Sequence, residues 1–239
     1  MIKIDLKSIP KNQEELARRI DHTVLKIDEK KNGIIRGLEE AEKYSFRSLV
    51  IPLCYVKEFS SLSKVPISAV ISFPFGQDPL EIKQKQIELA FSNGAKEVDV
   101  VINVMSYISG DKSYVENEIK KLSDLTHELG GKVKFIIETG YLDNAGIAEL
   151  SKMIEKSNGD YIKTSTGFGP RGVNIDDILV IRSAVSREQK IKASGGIRSG
   201  IQALLLLAFG ANILGASQSV KIVNEYPQAL RMFESVYNE

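Results

Sequence analysis

The sequence predicts an α/β protein, a single-domain (β/α)8 TIM barrel over residues 1–239, with residues 1–19 as an N-terminal helical extension. Three observations carry this expectation. Short runs rich in Val and Ile alternate with amphipathic segments along the whole chain. Eight such runs can be counted, which suits a closed barrel. The length, 239 residues, is near the roughly 250 such a barrel occupies as one domain. The alternative is an open doubly wound sheet, which has fewer strands as a rule.

The expected strands are IDHTVL (20–25), SLVIP (48–52), ISAVISF (67–73), EVDVVIN (97–103), VKFIIET (133–139), YIKTST (161–166), KIKAS (190–194) and NILGAS (212–217). They read as mostly apolar on both faces, as parallel strands covered by helices should. Between them, residues 78–94 form the clearest helix, with Asp78 as cap, Pro79 in the first position and Gly94 as the stop. Leu80, Ile87 and Phe91 share one stripe of it, and its Glu/Lys-rich part, 81–88, reads as a solvated face. Residues 113–131 place Val115, Ile119, Leu122 and Leu125 at helical spacing before two glycines. Residues 174–186 begin with Asn174 as a cap and two aspartates in the first turn. Segments 28–44, 144–157, 199–209 and 225–237 complete the rhythm, and no linker or low-complexity tract divides it.

Composition narrows the function classes. The chain is 43% apolar and 26% charged with a formal net charge of +1, an ordinary globular balance with no basic surplus for nucleic acid or a membrane surface. Cys54 is the single cysteine, so no internal disulfide can form. That cysteine and two histidines, His22 and His127, are too scattered for a zinc motif. No P-loop or dinucleotide fingerprint is present. The longest apolar run, 203–209, is too short to span a bilayer, and the first twenty residues lack a signal-peptide core. A cytoplasmic setting is expected.

Barrel enzymes place their chemistry at the C-terminal ends of the strands. Here those ends hold Asp21 and His22, Pro52, 73–76, Asp99 and Asn103, 138–140, 163–167, 192–196 and 215–217. Lys163 and Lys192 are the sharpest feature, because each interrupts an apolar run in a neighbouring strand. If both point inward, burial and mutual repulsion lower the proton affinity of an ammonium, and a neutral lysine can form a Schiff base with a carbonyl. If they point outward, they merely snorkel under helices. Asp99 lies among hydrophobic neighbours, so it must be paired, hydrogen-bonded or functional. It can shuttle a proton or serve as a purely structural partner. Glycine turns at 165–167, 194–196 and 215–217 suit a phosphate, which barrels bind through the loops after strands seven and eight. Arg198 either assists there or begins a helix. His22 either orients the site or packs beneath it, and His127 lies on a helix surface.

The stretches GAKEVDVVIN (94–103), KFIIETGYL (134–142), DYIKTSTGF (160–168) and IKASGGIR (191–198) resemble the deoxyribose-phosphate aldolase family, with similarity running from 20 to 220. The resemblance implies a class I aldolase that needs no metal and no cofactor. It would reversibly cleave 2-deoxyribose 5-phosphate to acetaldehyde and glyceraldehyde 3-phosphate. Through the matching motifs it implies Lys163 as the Schiff-base nucleophile, Lys192 as the second lysine and Asp99 as a proton relay. It also implies Gly167, Gly195, Gly196, Gly215 and Ser217 around the phosphate, with Asp21, Thr164 and Ser194 in support. A homo-oligomer, dimer or tetramer, is the expected assembly, with a phosphorylated sugar as the small-molecule partner. Four positions depart from the common pattern: Leu49 and Ile51 in the second strand, Ile213 in place of an arginine, and Gln218 in place of a small residue. Competing readings are a Schiff-base barrel for another phosphorylated aldehyde, a non-catalytic sugar-phosphate binder, and a phosphate-binding isomerase.

Overall fold

Eight parallel strands close into a barrel in the order β1 to β8, each bonded to its sequence neighbour and β8 to β1. The computed structural model describes residues 6–237. The strands are β1 Ile20–Thr23, β2 Ser48–Pro52, β3 Ile67–Ile71, β4 Glu97–Val101, β5 Lys132–Ile136, β6 Tyr161–Lys163, β7 Lys190–Ser194 and β8 Ile213–Ala216. All eight expected strands are present, and several are shorter at their C-terminal ends because the chain leaves the ladder there to form loops. The helices are α1 Gln13–Ala17, α2 Lys30–Tyr44, α3 Leu53–Phe59, α4 Leu80–Ser92, α5 Val104–Ile108, α6 Lys112–Glu128, α7 Asn144–Lys156, α8 Ile175–Ala184, α9 Gly200–Ala208 and α10 Ser219–Tyr237. Within the expected N-terminal extension the described part holds a 3-10 turn at Leu6–Ser8 and α1, which packs on α10. Residues 1–5 lie outside the described residues, as does the tail beyond Tyr237.

Side chains alternate across a strand, and the alternation separates two interiors. Leu49, Ile51, Ala69, Val98, Val100, Phe135, Ile162, Ile191 and Leu214 face outward and join the helices in one apolar core. The opposite parity holds Asp21, Ser48, Ser68, Glu97, Asp99, Lys134, Lys163 and Lys192, all buried. The expectation of strands mostly apolar on both faces is therefore corrected for the inner face, which mixes the buried apolar side chains of Val50, Val70, Val101, Ile136 and Ile213 with these charged and polar ones.

Local chemistry explains most helix starts. Asn174 accepts from the Asp177 amide and Asp177 reciprocates, a full capping box for α8. Ser199, Asp143 and Asp111 cap α9, α7 and α6 without the reciprocal bond, each side chain accepting from the amide three residues on. At α4 the expectation differs from the structure. Pro79 occupies the cap position and Leu80 the first turn, while the Asp78 carboxylate accepts from Gln86 Nε2 at 3.1 Å. α10 also begins earlier than expected, at Ser219, and runs through Pro227.

The 81–88 stretch is not a wholly solvated face. Glu81 and Lys85 are exposed, but Lys83 is fully buried against Glu118, with Nζ 2.7 Å from Oε1. Lys83 also donates to the Val101 carbonyl at 2.8 Å, and Glu118 Oε2 accepts the Asn103 amide at 2.8 Å. The pair thus fastens α4 and α6 to the end of β4. Removing one charge strands the other in the core, which costs about 3–5 kcal/mol. Lys83→Met should therefore lower the melting midpoint by roughly 10 °C. The double change Lys83→Met with Glu118→Leu should recover most of that loss, because it leaves no unpaired buried charge.

Candidate active site

The inward row of charges converges on Asp99. Its Oδ2 accepts from Lys163 Nζ at 2.7 Å and Lys192 Nζ at 2.6 Å. Its Oδ1 accepts from Lys134 Nζ at 2.9 Å and Ser68 Oγ at 3.0 Å. Donors from β3, β5, β6 and β7 therefore meet one carboxylate on β4. Such contacts between non-adjacent strands are possible only through the barrel interior, so the outward, snorkelling orientation of the two lysines is excluded. Lys192 also bridges to Asp21 Oδ2 at 2.6 Å across the barrel. Asp21 in turn accepts from Arg47 Nε at 2.6 Å and Ser48 Oγ at 2.7 Å.

Burial and neighbours set the protonation of these groups. Burial alone would raise Asp99, but Lys134, Lys163 and Lys192 outweigh it and hold the carboxyl well below its usual range. Asp21 is likewise lowered, with burial opposed by Lys192, Lys134 and Arg47. Lys163 is pushed down to about 8, first by burial and then by Lys192, against the pull of Asp99. A measurable share of free amine therefore exists near neutral pH.

Lys163 opens onto a cavity of about 210 Å³ lined by Thr166, Gly167, Ser194, Gly195, Gly196, Gly215, Ser217 and Gln218, with Lys26 and Arg198 at its margin. Gly167, Gly195 and Gly196 have φ of 87°, 85° and 76°, a left-handed backbone that disfavours any side chain. That conformation turns backbone N–H groups toward a cavity and suits an anion. Gly215 acts differently. A Cβ there would lie 2.9 Å from Lys192 Cε, so this glycine also clears room for the second lysine. Arg198 does not begin a helix, since Ser199 is the cap of α9.

The supporting residues divide by role. Thr164 and Ser194 lace β6 to β7, with Thr164 Oγ1 donating to the Ser194 carbonyl at 3.0 Å and Ser194 Oγ donating to the Ser165 carbonyl at 2.6 Å. Their effect is to fix the spacing of the two lysine-bearing strands. His22 faces away from the site. Its Nδ1 lies 2.9 Å from Ser219 Oγ and its Nε2 3.1 Å from Glu40 Oε2, its ring stacks on Phe46, and burial lowers it to about 4. His127 is exposed and meets Asp160 at 2.9 Å. Leu49 and Ile51 lie in the outer core, so two of the departing positions do not face the chemistry. Gln218 lines the cavity, and Ile213 stands beside Lys192 in the ladder.

Lys134, Glu97 and Arg47, for which the sequence alone indicates no role, also join the site. Lys134 Nζ contacts Glu97 Oε2 at 2.6 Å as well as Asp99, and Arg47 clamps both Glu97 oxygens. Glu138 stands at the barrel mouth in a left-handed conformation, φ 50°, and is bonded to the Thr166 amide and hydroxyl. Its other oxygen is buried without a hydrogen-bond partner.

Comparison with known proteins decides the family. The profile of the DeoC/LacD family aldolase matches residues 18–228. The chain belongs to this aldolase family. It is thereby an enzyme, a carbon–carbon lyase. The deoxyribose-phosphate aldolase of Treponema denticola is 39% identical over 213 residues, covering 87% of this chain and 98% of that protein. That of Thermococcus kodakarensis is 38% identical over 221 residues, covering 90% and 99%. Among solved structures, the tetrameric deoxyribose phosphate aldolase from Aeropyrum pernix superposes with a TM-score of 0.84 at 33% identity, covering 90% of this aldolase and 92% of that chain. Among the described residues, no helix is long and apolar enough to cross a membrane.

Proposed function

We propose that this aldolase reversibly cleaves 2-deoxy-D-ribose 5-phosphate to acetaldehyde and D-glyceraldehyde 3-phosphate through an imine on Lys163. The observation that carries the reading is the placement of Lys163. Its ammonium shares Asp99 Oδ2 with Lys192, and its side chain meets a cavity rimmed by left-handed glycines. The relatives of matching length are deoxyribose-phosphate aldolases, which supplies the substrate.

The chemistry follows from the geometry. The neutral amine of Lys163 adds to the aldehyde carbon, and loss of water gives a protonated imine. A base removes the proton of the hydroxyl at C3, the C2–C3 bond breaks, and its electron pair passes into the imine to form an enamine. Glyceraldehyde 3-phosphate leaves. Protonation of the enamine at C2 and hydrolysis then release acetaldehyde and restore the amine. Asp99, with Lys192 on the same oxygen, is the group placed to pass these protons. Gly167, Gly195, Gly196, Gly215 and Ser217 hold the phosphate, so binding energy is gathered away from the reacting carbons. A homo-oligomer and a cytoplasmic setting belong to the same reading. The first rests on the tetrameric relative and the second on the single unpaired cysteine.

Reductive trapping tests the proposal. The protein is incubated with deoxyribose 5-phosphate and borohydride, then digested and mapped by mass spectrometry. A two-carbon adduct on Lys163 is expected. Turnover without any lysine adduct would overturn the imine.

A further inference from the structure

The barrel carries more charge than the proposed reaction uses. Arg47, Lys134, Lys163 and Lys192 meet Asp21, Glu97 and Asp99 in one connected network. Arg47, Lys134 and Lys192 balance the three carboxylates. Lys163, when protonated, is the one cation in surplus. In a buried site, where uncompensated charge is costly, the surplus proton is the one most readily given up. Lys134 is central to that balance. It is fully buried and bonded to Asp99 Oδ1, Glu97 Oε2 and Ser68 Oγ at 2.9, 2.6 and 3.1 Å, with Asp21 Oδ2 at 3.8 Å. Neither Lys134 nor Glu97 lines the cavity that Lys163 reaches.

We propose that Lys134 and Glu97 are positioning residues that set the charge balance around Lys163, with Lys134 occupying Asp99 Oδ1 so that Oδ2 is left to the two lysines of the reaction. The inference rests on the reading of Lys163 as the imine-forming amine. Lys134 keeps its proton against the cost of burial because three carboxylates surround it, so it is a permanent cation. It also repels a proton on Lys163. Other groups facing this centre do not upset the balance. Tyr161, on β6, is raised by burial and stays neutral. Glu138 is also raised by burial and takes its hydrogen bonds from Thr166; it attracts Lys163 as well, but it is common to the parent and to every variant compared below, so it leaves the sign of each shift unchanged.

The proposal makes predictions of opposite sign, which a merely structural role would not. In the full-length protein, the acid-side midpoint of kcat/KM, and of borohydride trapping at Lys163, would be measured against pH. Lys134→Met leaves a carboxylate in surplus, so Lys163 should hold its proton more tightly and the midpoint should rise by about one pH unit or more. Glu97→Gln adds a surplus cation, and the midpoint should fall. The double variant restores the count and should return close to the parent. Single changes that move the midpoint in one common direction, or lower activity with the midpoint unmoved, would overturn the proposal. If Lys134→Met does not fold, the fall in Glu97→Gln still decides, because loss of structure does not free an amine at lower pH. Trapping of the parent protein comes first. Its failure at Lys163 overturns the imine reading, and the proposal with it, whereas trapping with unmoved midpoints overturns the proposal alone.

Discussion

Lys163→Met should reduce carbon–carbon cleavage by at least about 10⁴-fold and, at the same time, make the protein more stable. The two effects share one cause. Lys163 is held at about 8, below its ordinary 10.5, so the unfolded chain binds that proton more tightly than the folded one. Below pH 8 the folded protein therefore carries a destabilising buried ammonium. The penalty fades only as pH rises from about 8 toward 10.5. Methionine fills similar space without the charge. Although the ammonium also bonds Asp99, its lowered proton affinity shows that the pair does not repay burial. A gain of roughly 1–3 kcal/mol at neutral pH is expected. In a chain of this size that is several degrees in melting midpoint. Thermal melts at pH 7 and pH 10 check the sign, since the advantage of the variant should shrink at the higher pH. Cleavage within tenfold of the parent would remove Lys163 from the proposed mechanism. A lower melting midpoint would contradict the electrostatic account of its burial.

The same physics explains what could be read from the residues. Lys163, Lys192 and Asp99 were legible because each puts a charge into an apolar run, and a buried charge needs a reason. The barrel was legible because hydrophobic runs and helical spacing repeat at the length of a βα unit. Lys134 carries the same flag, between Val133 and Phe135 in an expected strand, but it sits at the N-terminal end of that strand, away from the C-terminal end where a barrel's chemistry is sought. Arg47 precedes its strand, and its partners Asp21 and Glu97 lie 26 and 50 residues away. Such pairings depend on how the barrel closes, which local pattern does not encode. Lys83 was hidden for a different reason. Its neighbours Glu81 and Lys85 are solvated, and only helical phase, with Leu80 and Ile87 on the same stripe, marks it as inward. The glycine turns are visible as residues, but the left-handed backbone at 167, 195 and 196 and the clearance that Gly215 gives Lys192 depend on how neighbouring strands meet inside the closed barrel.

Asp99→Asn should separate imine formation from proton transfer. The amide has one acceptor oxygen where the carboxylate has two, yet Lys134, Lys163, Lys192 and Ser68 all donate to this position. At least one ammonium is then left facing an N–H group. Loss of a partner from a buried charge cluster costs about 3–5 kcal/mol, so the melting midpoint should fall by roughly 10 °C. The pH dependence should change as well. In the parent, Asp99, Asp21 and Glu97 lie below their ordinary values, so the stability they lend is present above about pH 4 and is lost as pH falls through the lowered folded values. The variant lacks one of these groups and should lose less stability on acidification. For Lys163 the effect is the reverse of damage. Asp99 is the group that pulls a proton onto this lysine, so without the carboxylate the amine is freer. Borohydride should therefore still trap an adduct on Lys163 near neutral pH, while cleavage falls by about 10²–10⁴-fold for want of the relay. Adduct without turnover is the pattern that assigns Asp99 to proton transfer. Turnover within tenfold of the parent would end that assignment. Loss of adduct and turnover together, in a variant that no longer melts cooperatively, would reduce Asp99 to the counter-ion that holds three lysines inside the barrel.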